Sequence, residues 1–253
     1  MQEHKKEYKL IICVYACDKI DKYINEINAI NATWGKLCTN EVKLLFFLGE
    51  EVNPEFVGPN YINLPTVKDD YLSASYKQFL GLKYIYENYK PEFVICCGTD
   101  TYLNIPKLLY YINKFNPLES SYIGGHGCSR KIGDKNYYFH AGGPGFIITY
   151  NCLEKIYPQL NKLMSDWINI CIQNNIQHLI PACDVAVSYY VQQENINATI
   201  IYADDLTFLT CNYIGYPCHL NMVNIQNIIA CHYMSIDDFY NYTRILQENN
   251  YFI

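Results

Sequence analysis

The sequence predicts an α/β fold: a mixed, mostly parallel sheet flanked by helices. Three observations carry this expectation. Short apolar runs of strand length recur at 10–15, 42–48 and 92–97. Segments with helical apolar spacing separate them, and Gly49, Pro65 and Pro91 punctuate the changes. Continuous apolar runs suit strands covered on both faces, and strands alternating with helices suit parallel crossovers.

The run 10–15 is a buried strand, and the polar residues 18–21 lead into a helical pattern ending near Thr33. The run 42–48 is a second strand closed by Gly49, and 61–64 a short third one stopped by Pro65. Asp69 and Asp70 form the acidic start of a helix. Its apolar side passes through Tyr71, Phe79, Leu82 and Ile85, up to Lys90-Pro91. A fourth strand at 92–97 precedes a helix at 105–115. Beyond it, 124–133 reads as a glycine-rich loop, and 137–148 as two short strands around Gly142-Gly143-Pro144-Gly145. One or two helices fit 152–174, another fits 182–193, a strand fits 198–202, and a last helix runs from about 236 to 247. No repeat, low-complexity tract or linker interrupts the chain, so one domain is expected over 1–253.

Composition narrows the function. Half of the 253 residues are hydrophobic and 17% are charged, which suits a buried core and argues against wholesale disorder. A net charge of −6 argues against a nucleic-acid partner held by a basic surface. No apolar run approaches the roughly 18 residues of a membrane span. The apolar stretch 10–17 is too short and wrongly flanked for a signal peptide. A soluble protein is therefore expected; its location stays open, with the cytoplasm as one alternative. The 26 tyrosines fit either an aromatic sugar-binding surface or a plain compositional bias. The 12 cysteines include no C-x-x-C pair, so a thiolate zinc site lacks its signature. Buried, reduced thiols are expected; Cys211 and Cys218, which bracket a short loop, are the alternative as a local bridge.

In parallel α/β sheets, ligands bind beyond the carboxyl ends of the strands. The segment after the fourth strand, Gly98-Thr99-Asp100-Thr101-Tyr102, is thus the first candidate. A carboxylate there can hold a hard cation; alone, it reads equally as a helix cap. His140-Ala141-Gly142-Gly143-Pro144-Gly145 holds more glycine than a hairpin needs, which leaves open a floor for a sugar ring or a tight turn. Asp184 heads the apolar stretch 183–187, either as a carboxylate favoured by the helix dipole or as a desolvated general base. His232 follows the apolar run 228–231, as a packed core residue or a metal ligand.

In their order, these segments resemble the fringe-like and core-1-type β1,3-glycosyltransferase family over most of the chain. Asn28-Ala29-Ile30 with Thr33-Trp34-Gly35 is similar to that family's helix before the second strand. Asp69-x-Tyr71 with Ser73, Ser75 and Lys77 is similar to D-x-Y-x-N-L-T-x-K, and Thr99-Asp100-Thr101-Tyr102 to D-D-D-T-Y-V. Ala141-Gly142-Gly143-Pro144-Gly145-Phe146 resembles the G-G-A-G-Y donor loop, Cys183-Asp184-Val185 the E-D-V motif, and His232 the late histidine. The departures are specific. Gly98 and Thr99 stand at two acidic positions, Ile27 and Asn31 replace early arginines, and Cys183 stands where an acid precedes the base. The family's amino-terminal membrane anchor, usually holding it in the Golgi, is not seen.

The resemblance implies a single GT-A (Rossmann-like) domain, its nucleotide-binding half at about 8–115 and its donor/acceptor half at about 116–253. It implies an inverting hexosyltransferase moving a galactose- or N-acetylglucosamine-type sugar from a UDP-sugar to an acceptor hydroxyl in β1,3 linkage. The acceptor would be a glycan or glycoprotein. Asp100 and His232 would hold a divalent metal, Mn²⁺ first and Mg²⁺ second, against the charge developing on the diphosphate. Asp184 would be the catalytic base. Asp69, Tyr71, Lys77, Gly98 and Thr99 would line the nucleotide-sugar, with Lys77 a phosphate partner, and Gly142, Gly143 and Gly145 would pass beneath the donor. The alternative is an inactive nucleotide-sugar- or glycan-binding protein on the same fold. A Rossmann-type dehydrogenase or methyltransferase lacks its G-x-G-x-x-G after the first strand, where 14–18 stands instead.

Overall fold

The computed structural model describes residues 5–51, 53–70, 72–125, 127–203, 208–210 and 227–249. Strands β1 (Lys6–Tyr15), β2 (Val42–Leu48), β3 (Tyr61–Asn63) and β4 (Tyr89–Cys97) enclose helices α1 (Asp21–Ala32) and α2 (Ser73–Asn88). After the short β5 (Tyr102–Leu103) and α3 (Ile105–Ile112) come β6 (Ser121–Gly124), β7 (Gly127–Ile132), β8 (Lys135–His140) and β9 (Phe146–Thr149). Helices α4 (Tyr150–Ile156), α5 (Leu163–Gln173) and α6 (Cys183–Val191) follow. The described chain then passes through β10 (Thr199–Tyr202), β11 (Phe208–Thr210), β12 (Ala230–His232) and α7 (Ile236–Glu248).

The main sheet has seven strands in the order β10-β6-β9-β4-β1-β2-β3. Pairing is parallel from β4 through β1 and β2 to β3, whereas β9 runs antiparallel to both β4 and β6. Alternate residues of β1 serve two separate cores. Leu10, Ile12 and Val14 pack with Ile27 and Ile30 of α1, Leu108 of α3 and Phe239 of α7. Ile11 and Cys13 pack with Phe79 and Leu82 of α2, Leu153 of α4, Trp167 of α5 and Val187 of α6. Both faces are covered, which is why the strand reads as one apolar run instead of an alternation. Each fully buried aliphatic or aromatic side chain contributes about 1.5–3 kcal/mol of transfer free energy.

Local chemistry sets several boundaries. Asn104 caps α3 by accepting from the Lys107 amide, and Thr149 caps α4 by accepting from Cys152. Ser235 and Asp238 form a reciprocal capping box at the start of α7. Helix α2 begins at Ser73 rather than at Asp69, because the Asp70 carboxylate accepts from both the amide and the hydroxyl of Ser73 in the turn before it. The segment 124–133 is not the expected loop: most of it is β7, paired residue by residue with β8 around a turn at Gly133-Asp134. Strands β5 and β11, of two and three residues, are too short to leave a periodic signal.

Among the described residues, no helix is long and apolar enough to cross a membrane. The ten cysteines described form no disulfide, and most are buried. The candidate bridge between Cys211 and Cys218 lies outside the described residues.

Candidate active site

Seven segments meet over the carboxyl ends of β1 and β4. They are the end of β1, the start of α1, the approach to α2 with its first turns, the 98–100 turn, the 142–143 loop, the start of α6 and the end of β12. Together they line a cleft of about 540 Å³. The second sheet, ordered β11-β12-β5, brings the last of these into place. Cys231 pairs with Tyr102, and the Met234 amide donates to the Asp100 carbonyl at 3.1 Å. His232 therefore emerges beside the turn, with its Nε2 3.3 Å from Asp100 Oδ1. Burial disfavours charge on Asp100. The adjacent His232 imidazole and the Lys22 ammonium outweigh that burial and hold the carboxyl below its ordinary value.

The glycine loop fits under this pair. A Cβ on Gly143 would stand 2.1 Å from His232 Nδ1, so a side chain there would displace the imidazole. Thr101 Oγ1 donates to the Gly143 carbonyl at 2.7 Å, tying the loop to the aspartate turn. Gly145 has φ of +89, a conformation side chains rarely adopt, and its Cβ would meet the Cys96 carbonyl at 2.8 Å. Gly142 and Gly143 line the cleft; Gly145 turns back against the sheet.

Asp184 lies in the first turn of α6, where Ala182 has no side-chain cap to offer. Its Oδ2 accepts from the Gly142 amide at 2.9 Å, and its Oδ1 from the Val185 amide at 2.8 Å. Burial raises its pKa; the two amides oppose that rise without cancelling it. The residue is thus both a helix-start carboxylate and a desolvated one facing the cleft.

Asp69 and Lys77 also line the cleft, as a buried ion pair. Lys77 Nζ further donates to the Ala16 carbonyl at 2.6 Å. Asp69 Oδ2 is buried without a protein partner. Gly98 and Thr99 complete the wall, with Thr99 Oγ1 donating to Glu26 of α1. Tyr71 lies outside the described residues.

Glu26 had not been singled out, yet it is only 4% exposed, and burial pushes its carboxyl up against the Thr99 hydrogen bond. Its signal was present: a carboxylate among Ile27, Ala29 and Ile30, the buried face of an amphipathic helix. Lys22 and Tyr233 were also missed. The Tyr233 ring stacks on His232 at 3.9 Å, from a backbone with φ of +59.

Asp100 and His232 supply a carboxylate and an imidazole. Among the described residues, no group of three or more His, Cys, Asp or Glu side chains converges. Two protein donors fit a hard cation that keeps most of its shell for phosphate oxygens and water, not one enclosed by protein.

This architecture is the GT-A fold of glycosyltransferases. The chain resembles a glycosyltransferase involved in glycosylation of the major capsid of PBCV-1, with a TM-score of 0.52 at 12% identity, covering 93% of this chain and 98% of that one. It is similar to an active-site mutant of LgtC, with a TM-score of 0.51 at 13% identity, covering 92% and 94%. GlyE of Streptococcus pneumoniae TIGR4 gives a TM-score of 0.51 at 10% identity, covering 96% of this chain and 63% of that one. The Fringe-like family profile matches residues 6–193, and the chain belongs to the Fringe-like family. His232 lies beyond the matched residues.

Proposed function

We propose that this protein is an inverting glycosyltransferase. It moves a hexose of galactose or N-acetylglucosamine type from a UDP-sugar to a hydroxyl of a glycan or glycoprotein, forming a β1,3 linkage. One observation carries the reading: Asp100, His232 and Asp184, remote in sequence, line one cleft, with the glycine loop between them. We read the chain as one domain whose halves, about 8–115 and about 116–253, both contribute to that cleft.

Each residue then has a role. Asp100 and His232 would hold a divalent cation, Mn²⁺ or Mg²⁺, whose chemistry is to stabilise the charge that develops on the diphosphate leaving group. Asp69 Oδ2, buried and unpartnered, is available to accept from an N–H or O–H of the nucleoside. The backbone at Gly142 and Gly143 lets the donor sugar approach closely. Asp184 takes the proton of the acceptor hydroxyl as that oxygen attacks the anomeric carbon, and the bond to the diphosphate breaks with its electron pair leaving on UDP. A carboxylate with a raised pKa is a stronger base for this step than a solvated one.

The second reading, a nucleotide-sugar- or glycan-binding protein without turnover, draws on Gly98 and Thr99 at positions where the family carries acids. Thermal unfolding with UDP and Mn²⁺, separately and together, followed by a UDP-sugar hydrolysis screen, separates the two. The enzyme reading expects the largest stabilisation with both ligands, about 2.7 kcal/mol at a hundredfold excess over Kd, and release of UDP from one sugar donor. Stabilisation with no UDP release from any donor favours the binding protein. No stabilisation at all overturns the enzyme reading and the nucleotide-sugar-binding one, and leaves only the glycan-binding form of the second.

A further inference from the structure

We propose that Lys22, and not Lys77, is the side chain that binds the diphosphate of the nucleotide donor. The inference rests on reading the cleft as a nucleotide-sugar site. Two lysines line that cleft among the described residues, and their surroundings differ. Lys77 has a side chain 4% exposed, paired with Asp69 and donating to the Ala16 carbonyl. Turning it toward a phosphate would leave the Asp69 carboxylate buried and uncompensated, a strongly unfavourable state.

Lys22 is held much less firmly. Its side chain is 66% exposed, and its Nζ stands 3.7 Å from Glu26 Oε1, beyond ordinary hydrogen-bond length. The other oxygen of Glu26 already accepts from Thr99. Lys22 also borders an adjoining pocket of about 430 Å³, together with Glu26, Asp100 and Tyr233. It thus stands at the seam between the aspartate turn and the cleft mouth.

The charge balance points the same way. Asp69, Asp70, Asp100 and Asp184 line the cleft against two lysines, one of them neutralised by its partner. A diphosphate entering this field needs more positive charge than a single divalent cation supplies. Lys22 carries that charge on a flexible stem suited to phosphate as a mobile point charge. Its place in the first turn of α1 sets it against the helix dipole, a disadvantage that a bound anion offsets.

The test compares wild type, Lys22→Met and Lys22→Arg by calorimetric titration with UDP plus Mn²⁺, and with uridine as competitor. Apo melting temperatures check that the exposed substitution leaves the fold intact. Lys22→Met is expected to weaken UDP binding about 10- to 100-fold, to leave displacement by uridine unchanged, and to flatten the salt dependence of UDP affinity. Lys22→Arg should restore most of the affinity. If Lys22→Met binds UDP as wild type does, or loses UDP and uridine equally, the assignment is overturned. If the wild type itself binds no UDP, the nucleotide-sugar reading fails and this inference fails with it.

Discussion

Gly143 and Asp184 show how much chemistry a single position carries here. The imidazole of His232 lies where a side chain on Gly143 would have to go. Gly143→Ala is therefore expected to swing His232 away from Asp100 and to lower Mn²⁺-dependent UDP affinity at least about tenfold, on the scale of a lost charged hydrogen bond. Calorimetric titration checks it, with the melting temperature little changed. Asp184→Asn keeps shape but removes the proton acceptor, so transfer should fall about 10²–10⁴-fold with UDP affinity nearly constant in single-turnover assays. A mere helix-start carboxylate would leave the rate at the wild-type value. The pH dependence has a definite sign. Burial raises the folded pKa of Asp184, so its contribution to stability is fully present below the unfolded carboxylate pKa and is lost as pH rises through the folded value. Melts across pH 4 to 7 should show that loss in the wild type and not in Asp184→Asn. The base-limited limb of the transfer rate should likewise lie above the ordinary carboxylate range.

These residues were legible because each sits in a local signature: an aspartate after a buried strand, a glycine run, a carboxylate heading a helix. Glu26 left a fainter one, a carboxylate on the buried face of α1, which its i,i+4 spacing to Lys22 masks as an ordinary surface ion pair; Lys22 left none.

At the scale of elements, α2 and the β12–α7 corner position the site. Lys77 joins α2 to the end of β1 through Ala16 while neutralising Asp69. Removing one partner of such a pair leaves an uncompensated buried charge. Lys77→Met should therefore cost about 3–5 kcal/mol in urea unfolding, with much of it recovered in Lys77→Met/Asp69→Leu. If the single variant is as stable as wild type, the pair does not anchor α2. The capping box at Ser235 begins three residues after His232 and fixes where α7 starts. Ser235→Ala should cost about 0.5–2 kcal/mol by the same measurement. The long elements followed from periodicity, since α1, α2, β1, β2 and β4 each bury an extended stripe or run. Strand β7 escaped because it is largely exposed and polar, so glycine and charge dominated that segment, whereas β8 was expected from residue 137.

Across the whole molecule, the two cores predict thiol behaviour. Cys128 is exposed, whereas Cys152 and Cys183 are pushed up to about 12 by burial. At mildly alkaline pH their thiolate fraction is then roughly a thousandfold below that of an ordinary cysteine. Alkylation of the native protein followed by peptide mapping should label Cys128 first among the described cysteines, and the fully buried Cys152 only on unfolding. Early labelling of Cys152 would mean that the α4 face of the sheet opens far more readily than its packing implies.

What the sequence determined by itself was local: which stretches are strands or helices, that the sheet is mostly parallel, and that Asp100, the glycine loop and Asp184 belong to one family pattern. Short-range periodicity and turn chemistry suffice for the first two, since each depends on neighbours a few residues away; the third rests on the resemblance of those motifs, in their order, to the family's. Tertiary structure alone decided the reversal of β9 between two parallel blocks and the pairing of β12 with β5 that carries His232 to Asp100. It also decided the burial of Lys77 against Asp69 while Lys22 stays at the cleft mouth. The physical reason is common to all three. Strand partners and ion partners are chosen by segments far apart in the chain, and the cost of leaving a buried charge or a strand edge unpaired exists only once those segments have met.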